Sequence, residues 1–295
     1  MNQEALAYQS FIASYSSMGG KIGFSGSCDA IAQSDMIIVL GGRVSCDNEA
    51  VYDTVVSAAN NGAKVIYMHP LEDVLMDGIV TQMVKYEAGS EEGVVAMLAK
   101  TLLDGCETSD ALQQFLDDLD EGYLCAESNV GDEEFRLILE TAAVSHKKTL
   151  VVGLDLLNHK NSSNIAKICG VIDSVTTFSV VIASKYNDGN SVEMLDVSQK
   201  GVLDPVSPLP EYNGTIIYQC YPNKQSNNNT LRGSAQFAIA ARLNSGDLVT
   251  IDGYDGTKTF LVDETLKGTI ALNVLDEKSN CGYRFEKIKL MRVGS

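Results

Sequence analysis

The sequence is poor in basic residues and lacks long apolar segments. Only 22 of its 295 residues are Lys or Arg, against 39 Asp and Glu, so the formal net charge at pH 7 is -17. A chain of this charge is repelled by nucleic acids and by anionic lipid surfaces, and we expect neither as a direct partner. No apolar run approaches the ~20 residues that a helix needs to cross a bilayer. We therefore expect no direct membrane insertion.

Cysteine is scarce and scattered, and tryptophan is absent. No two cysteines are spaced as zinc or iron–sulfur ligands are. We interpret the thiols as small buried hydrophobic residues of a reducing compartment, and the polar amino terminus without signal-peptide features favours the cytoplasm. Cys46 alone follows a strand tip, but no histidine nearby in sequence activates it. The seven positions are Cys28, Cys46, Cys106, Cys125, Cys169, Cys220 and Cys281.

Only three histidines are present, and we predict a catalytic role for none of them. His69 ends a strand beside two carboxylates, and a packed strand end explains that position as well as acid–base chemistry does. His146 lies at a helix end, and His159 is expected in an exposed loop. No residue stands in a recognisable nucleophile motif. We also predict no metal site, because the carboxylates at 110–121 lack calcium-loop spacing and are typical of a solvated helix face.

The segment 31–70 has the pattern of a strand, a glycine turn, a helix and a second strand. Residues 36–40 (MIIVL) are continuously apolar, as in a parallel strand that is buried on both faces. Gly41 and Gly42 end this strand, an amphipathic helical pattern follows, and 64–68 (KVIYM) is the second strand. A right-handed crossover between two such strands forms a βαβ unit.

A second unit of the same kind follows later in the chain. Residues 149–152 form an apolar strand that ends at Gly153, 161–172 has the pattern of a capped helix, and 179–183 is another strand. Repetition of the strand, glycine, helix and strand order predicts an α/β fold with a doubly wound parallel sheet.

Proline marks the predicted domain boundary, because Pro205, Pro208 and Pro210 are three of the five prolines of the chain. After them the sequence changes to short strands separated by polar turns such as Asp255-Gly256, which is typical of a small β-barrel. We therefore predict an α/β domain at 1–204, a proline-rich linker at 205–213 and a β-barrel at 214–295.

Several segments add a family resemblance to this pattern. The stretch SGDLVTI at 245–251 resembles the molybdopterin-dinucleotide-binding barrel of the dimethyl-sulfoxide-reductase and formate-dehydrogenase superfamily. AQSDMIIVLGG at 32–42 and GAKVIYMHP at 62–70 are similar to the α/β domain of that superfamily. Four segments resemble the carboxyl-terminal part of one branch, the G subunit of bacterial NADH-quinone oxidoreductase, or complex I. They are MHPLED at 68–73, KYEAGSEEG at 85–93, LKGTIALN at 266–273 and GYRFEK at 282–287.

The resemblance implies a double-psi barrel after the α/β domain and a role in an oxidoreductase. Two departures from the family pattern stand out. The cysteine motifs that hold iron–sulfur clusters in the G subunit are absent, and the resemblance places them on an amino-terminal part outside this sequence. The Asn-Pro that usually follows the first glycine turn of molybdenum enzymes is replaced by GGRV at 41–44. We therefore expect no cofactor in this segment.

Three hypotheses of function follow. The first is a structural, non-catalytic domain of the complex I peripheral arm, which contacts other subunits and reaches the cytoplasmic side of the membrane only through them. The second is a molybdopterin-binding module, whose contacts would be Gly41, Gly42, Arg43, Gly153 and Asp155. The third is a free-standing enzyme that binds a nucleotide at the Gly41-Gly42 or Gly153 turn, although GxGxxG and a P-loop lysine are both absent.

Overall fold

The chain divides into two compact units, Met1–Pro210 and Glu211–Ser295. The computed structural model describes residues 3–19, 24–184, 201–212, 214–221, 228–275 and 282–293. The division falls inside the predicted linker at 205–213, of which Asn213 lies outside the described residues. None of the described helices combines the length and the hydropathy that a bilayer crossing requires.

Unit 1 is built on a five-stranded parallel sheet of order β3-β2-β1-β4-β5. Its strands are β1 (Met36–Leu40), β2 (Lys64–Met68), β3 (Val80–Val84), β4 (Lys148–Val152) and β5 (Phe178–Ile182). Its helices are α1 (Gln3–Gly19), α2 (Cys28–Ala32), α3 (Val44–Asp47), α4 (Glu49–Asn60), α5 (Glu91–Leu102), α6 (Asp110–Asp117), α7 (Glu121–Ser128), α8 (Asp132–Val144), α9 (Leu154–Asn158) and α10 (Ser162–Val175).

Hydrophobic cores cover both faces of this sheet. Alternate residues of β1 point to opposite sides: Ile38 packs in the core that contains α1, α5 and α10, whereas Ile37 and Val39 pack in the core that contains α4. This two-sided burial explains why the strand has a continuous apolar sequence. The predicted doubly wound α/β sheet is confirmed.

Strand β1 is central, and the chain leaves it in one direction to β2 and later continues on its other side at β4. The carboxyl ends of β1 and β4 therefore form the point where the strand order reverses, and in open α/β sheets ligands bind at this switch point. The glycine turns that the sequence places after the two strands both lie here.

Most of the proline-rich segment packs against unit 1. Residues up to Pro210 belong to unit 1, and Leu209 is buried in its larger core with Leu203 and Val206 packed against it. The backbone N–H of Ser207 donates to Glu92 Oε2 at 3.1 Å, so a buried carboxylate also holds the segment. Proline lacks the backbone N–H that strand pairing needs, so this segment packs against unit 1 without joining its sheet.

Unit 2 contains a seven-stranded mixed sheet of order β11-β6-β10-β7-β9-β8-β12, curled around one core. That core includes Ile217, Leu231, Phe237, Val249 and Phe260, and the rings of Phe237 and Phe260 stack with centroids 5.8 Å apart. The elements are β6 (Ile216–Cys220), β7 (Thr230–Gly233), α11 (Ala235–Ala241), β8 (Leu248–Ile251), β9 (Lys258–Val262), β10 (Ile270–Val274), β11 (Phe285–Lys287) and β12 (Leu290–Arg292). The double-psi arrangement of the predicted barrel stays a prediction.

Candidate functional site at the switch point

The two glycine turns touch each other. Gly153 N–H donates to Leu40 O at 2.8 Å, and Asp155 N–H donates to Gly41 O at 2.9 Å. A Cβ at Gly153 would lie under 3.0 Å from the backbone of Gly41 and Gly42, and a Cβ at Gly42 would lie 2.8 Å from Gly153 Cα. Gly41 also has a φ of +68°, which favours glycine. The close approach of two strand ends explains these glycines without a ligand.

Arg43 follows the first glycine turn and is held by carboxylates of the protein itself. Its Nη2 lies 3.3 Å from Asp73 Oδ1, and its backbone N–H donates to Asp47 Oδ2 at 2.9 Å. Ser45 Oγ donates to the other oxygen of Asp73, whose side chain is fully buried. The Arg43 side chain is only 10% exposed, so the guanidinium is directed at Asp73 rather than at solvent.

His69 and Asp155 form a second buried pair. His69 Nε2 lies 3.1 Å from Asp155 Oδ2, and both side chains are 0% exposed. His69 Nδ1 lies 3.0 Å from both the backbone N and the carbonyl O of Leu71, so these contacts do not fix the tautomer. Because a carboxylate only accepts, we assign Nε2 as the donor to Asp155.

Tyr67 completes the cluster. Its ring stacks on the imidazole of His69 with centroids 5.7 Å apart, and its hydroxyl donates to Gly42 O at 3.3 Å. Burial raises the pKa of the Tyr67 phenol well above its usual value, and the nearby carboxylate of Asp73 adds to that shift. The phenol is therefore a hydrogen-bond donor at neutral pH and cannot act as a base.

The structure thus brings together all five residues of the molybdopterin hypothesis: Gly41, Gly42, Arg43, Gly153 and Asp155. Sequence reasoning placed His69 beside two carboxylates but did not identify Asp155 as its partner, and it missed Asp73 and Tyr67 as neighbours of the glycine turns. The position of His69 could have predicted this cluster. His69 follows the carboxyl end of β2, and parallel strands bring their carboxyl ends to one edge of the sheet.

The polar groups of these residues face partners within the protein. A bound pterin needs donors and acceptors that face it, whereas Arg43 faces Asp73, Asp155 faces His69 and the Tyr67 hydroxyl faces Gly42. Among the described residues, no group of three or more His, Cys, Asp and Glu side chains is placed to bind a metal ion. What the cluster does chemically is hold the ends of β1, β2 and β4 together.

His159 corrects another sequence interpretation, because it is buried and not in an exposed loop. Its side chain is 3% exposed; Nδ1 accepts from Asn161 N–H at 3.1 Å, and Nε2 donates to Gly89 O at 3.3 Å. Burial lowers the pKa of His159 to about 4. Burial outweighs the opposing effect of the hydrogen bond to Gly89, and the ring is neutral at pH 7. Glu91 Oε2 lies 3.7 Å from Nε2.

The cysteines are only partly the buried residues that the sequence suggested. Cys169 and Cys220 are buried, and burial raises the pKa of Cys169 to about 12. Cys28 is exposed, because it begins the short helix α2 on the surface. Cys46 is half-buried in α3, with Sγ 3.6 Å from Ser45 Oγ. Cys106 and Cys125 are also half-buried, and Cys281 lies outside the described residues.

Comparisons with known proteins give little direct guidance. No family model matches the sequence, and no curated protein matches it either. Among solved structures, the chain is similar to acetylene hydratase from Pelobacter acetylenicus, with 10% sequence identity and a TM-score of 0.45. The match covers 58% of this chain and 24% of that protein, so the chain spans about a quarter of its length. This likeness does not assign the chain to a family.

Proposed function

We propose that this chain is a structural, cofactor-free part of an oxidoreductase assembly, namely the carboxyl-terminal part of the G subunit of bacterial NADH-quinone oxidoreductase. The assembly is suggested by the sequence segments at 68–73, 85–93, 266–273 and 282–287. The observation that carries the non-catalytic role is the pairing of polar groups at the switch point, where Arg43 binds Asp73 and His69 binds Asp155.

The energetics of these pairs support the same role. A ligand that recruited Arg43 or Asp155 would have to take it from a buried partner, and leaving that partner buried without its counterpart costs about 3–5 kcal/mol. The backbone contact between Gly153 and Gly41 also closes the space between the two strand ends. Binding there would require the sheet edge to open, whereas small-ligand sites are usually largely pre-formed.

The proposed partners are the other subunits of the peripheral arm, including the part of the same subunit that holds the iron–sulfur clusters. With a net charge of -17, the chain favours neighbours that present basic or neutral apolar surface. We expect the assembly to weaken as salt screens that attraction. In this proposal the segment reaches the membrane surface only through those subunits.

The second candidate is a molybdopterin-binding module, favoured by one observation. Glycine-ended strands meet at the switch point of an open α/β sheet, where such folds bind cofactors. This candidate requires Arg43 and Asp155 to exchange their protein partners for the cofactor, and it requires metal ligands from outside this segment.

Elemental analysis and pterin fluorescence distinguish the two candidates. Protein purified from a molybdenum-replete host is expected to contain no molybdenum, iron or tightly bound pterin. In the assembled complex, joint substitution of His69→Ala and Cys46→Ala is expected to leave quinone reductase activity per complex nearly intact. The matched control replaces the exposed His146 and the half-buried Cys125 by Ala. Stoichiometric molybdenum, or loss of turnover in a fully assembled complex that carries only the first pair of substitutions, would overturn the structural role.

A further inference from the structure

A cleft of about 310 Å³ lies in unit 1, away from the switch-point cluster. Helix α6, the start of α7 and the docked proline-rich segment form its walls. Its lining residues are Ala111, Gln114, Phe115, Asp118, Leu119, Asp120, Tyr123, Leu124, Leu203, Pro205 and Val206. The volume is at the lower end of the range of about 300–1,000 Å³ for small-ligand sites. No role in the proposed function uses this cleft.

The proline-rich wall is held in place by hydrogen bonds behind it. Glu92 accepts from Asn161 Nδ2 at 2.6 Å, from Asn164 Nδ2 at 2.8 Å and from Ser207 N–H at 3.1 Å. Asp204 N–H donates to Asn164 Oδ1 at 2.9 Å. This segment is therefore fixed before any ligand arrives, which lowers the entropy cost of binding.

Tyr123 also lines the cleft. Its hydroxyl accepts from Leu209 N–H at 2.9 Å, so the ring orientation is fixed, yet 37% of the residue is exposed. Leu119 and Leu124 also line the cleft and are buried, so part of its lining is apolar. A fixed aromatic face that is open to solvent attracts cations as well as apolar groups.

Two carboxylates stand at the same cleft. Asp118 accepts from Gln114 Nε2 at 2.9 Å, and Asp120 accepts from Tyr123 N–H at 3.0 Å as the amino-terminal cap of α7. In the described part of the chain, neither forms an ion pair, and nearby Lys100 is paired with Glu121 at 2.8 Å. The cleft therefore combines apolar lining residues, an aromatic ring and two negative charges that, among the described residues, form no ion pair.

We infer that this cleft binds a small organic cation, an ammonium or guanidinium group carried on an apolar or aromatic body. The body lies against Leu119, Leu124 and Val206, and the cationic group lies between the ring of Tyr123 and the carboxylates of Asp118 and Asp120. This inference does not rest on the proposed function, because none of these residues belongs to the switch-point cluster.

The test is a titration of the full-length protein with phenethylamine, followed by nuclear magnetic resonance and calorimetry. Salt at about 150 mM screens the general attraction of the acidic chain beyond about 8 Å. We expect saturable binding with shifts centred on Phe115 and Tyr123. The neutral analogue 2-phenylethanol is expected to bind at least about fivefold more weakly, since it lacks the charge.

Three variants locate the site. Asp118→Asn with Asp120→Asn removes both charges and, because asparagine caps helices well, leaves the start of α7 intact; binding is expected to weaken about fivefold or more. Asp117→Asn is the matched control, since Asp117 accepts from Gln113 Nε2 at 2.9 Å as Asp118 does from Gln114, but it lies outside the cleft. Ala111→Phe fills the cleft from an exposed helix position and should abolish binding.

Four results would overturn the inference. They are the absence of saturable binding, equal affinity for the alcohol and the amine, unchanged affinity in the double asparagine variant, and an equal loss in the Asp117→Asn control. Circular dichroism and urea unfolding of each variant verify that the fold is retained. None of these results bears on the metal and pterin analysis of the proposed function.

Discussion

The imidazole of His69 lies 3.1 Å from the carboxylate of Asp155, and neither side chain is exposed. His69 follows β2 and Asp155 follows β4, and these two strands flank β1 in the sheet. The contact therefore spans the end of β1, where Gly41 and Gly42 turn. A histidine–aspartate pair at this edge resembles catalytic machinery, but here both groups are enclosed and connect three strands.

The first prediction concerns the stability of this pair. His69→Ala and Asp155→Ala should each lower the free energy of unfolding by about 3 kcal/mol or more. Each substitution leaves the other member of the pair buried without its hydrogen-bond partner. The double variant should lose at least about 1 kcal/mol less than the sum. Urea unfolding of the wild type, the two single variants and the double variant measures this double-mutant cycle. Asp155→Asn keeps an acceptor for Nε2–H and should lose less; strict additivity would contradict the pairing.

The second prediction concerns the contact between strand ends. Gly153→Ala places a Cβ under 3.0 Å from the backbone of Gly41 and Gly42 and should destabilise unit 1 by about 1–3 kcal/mol. Gly122→Ala is the control, since its nearest neighbour would be Asp120 Oδ1 at 3.7 Å within helix α7. That substitution should be neutral or stabilising by up to about 1 kcal/mol. Thermal unfolding compares the stabilities of the Gly153→Ala and Gly122→Ala variants. Equal losses of stability would refute the close approach of the two strand ends.

The third prediction concerns the docked proline-rich segment. In the wild-type protein, limited proteolysis should not cut 201–210 first, because Glu92 and the buried Leu209 hold it. Glu92 accepts from three donors, and Glu92→Gln turns an amide N–H toward at least one of them. The free energy of unfolding should fall by about 1–3 kcal/mol, and the segment should become exposed to cleavage. Glu121→Gln, on a 51% exposed side chain, is the control. Wild-type cleavage that begins within 201–210 would instead support an exposed linker.

The fourth prediction concerns pH. The pKa of His159 is about 4 in the folded protein, below its usual value of 6.5. Between pH 6.5 and 4 the unfolded chain therefore binds a proton that the folded chain does not, and stability falls as the pH falls. His159 should contribute about 3 kcal/mol to this loss of stability, and its contribution should be fully lost near pH 4.

His159→Gln provides the comparison, since its amide donates and accepts but does not titrate. The carboxylates titrate in both proteins, so the quantity of interest is the difference between the two stabilities as a function of pH. That difference should change between pH 6.5 and 4 and stay level below pH 4. A flat difference over the whole range would show that His159 is solvated.

Much of unit 1 could be predicted from local sequence. A strand buried on both faces must be apolar at every position, which identifies β1 at once, and Asn48 caps α4 by accepting from Val51 N–H at 3.1 Å. Strand β3 was not predicted, since it pairs only with β2 at the sheet edge and three of its five residues are only half-buried. An edge strand has a weaker apolar signal than a central one.

The sequence by itself determined the glycine turns, the strand and helix periods of the α/β unit and the acidity of the surface, because each depends on residues close together in the chain. Only the tertiary structure decided which polar groups became partners. His69 and Asp155 are 86 positions apart, and Glu92 and Ser207 are 115 apart. Such contacts form only after the strand order places distant segments side by side. Burial then removes water as the competing partner, so each polar group must be satisfied within the fold.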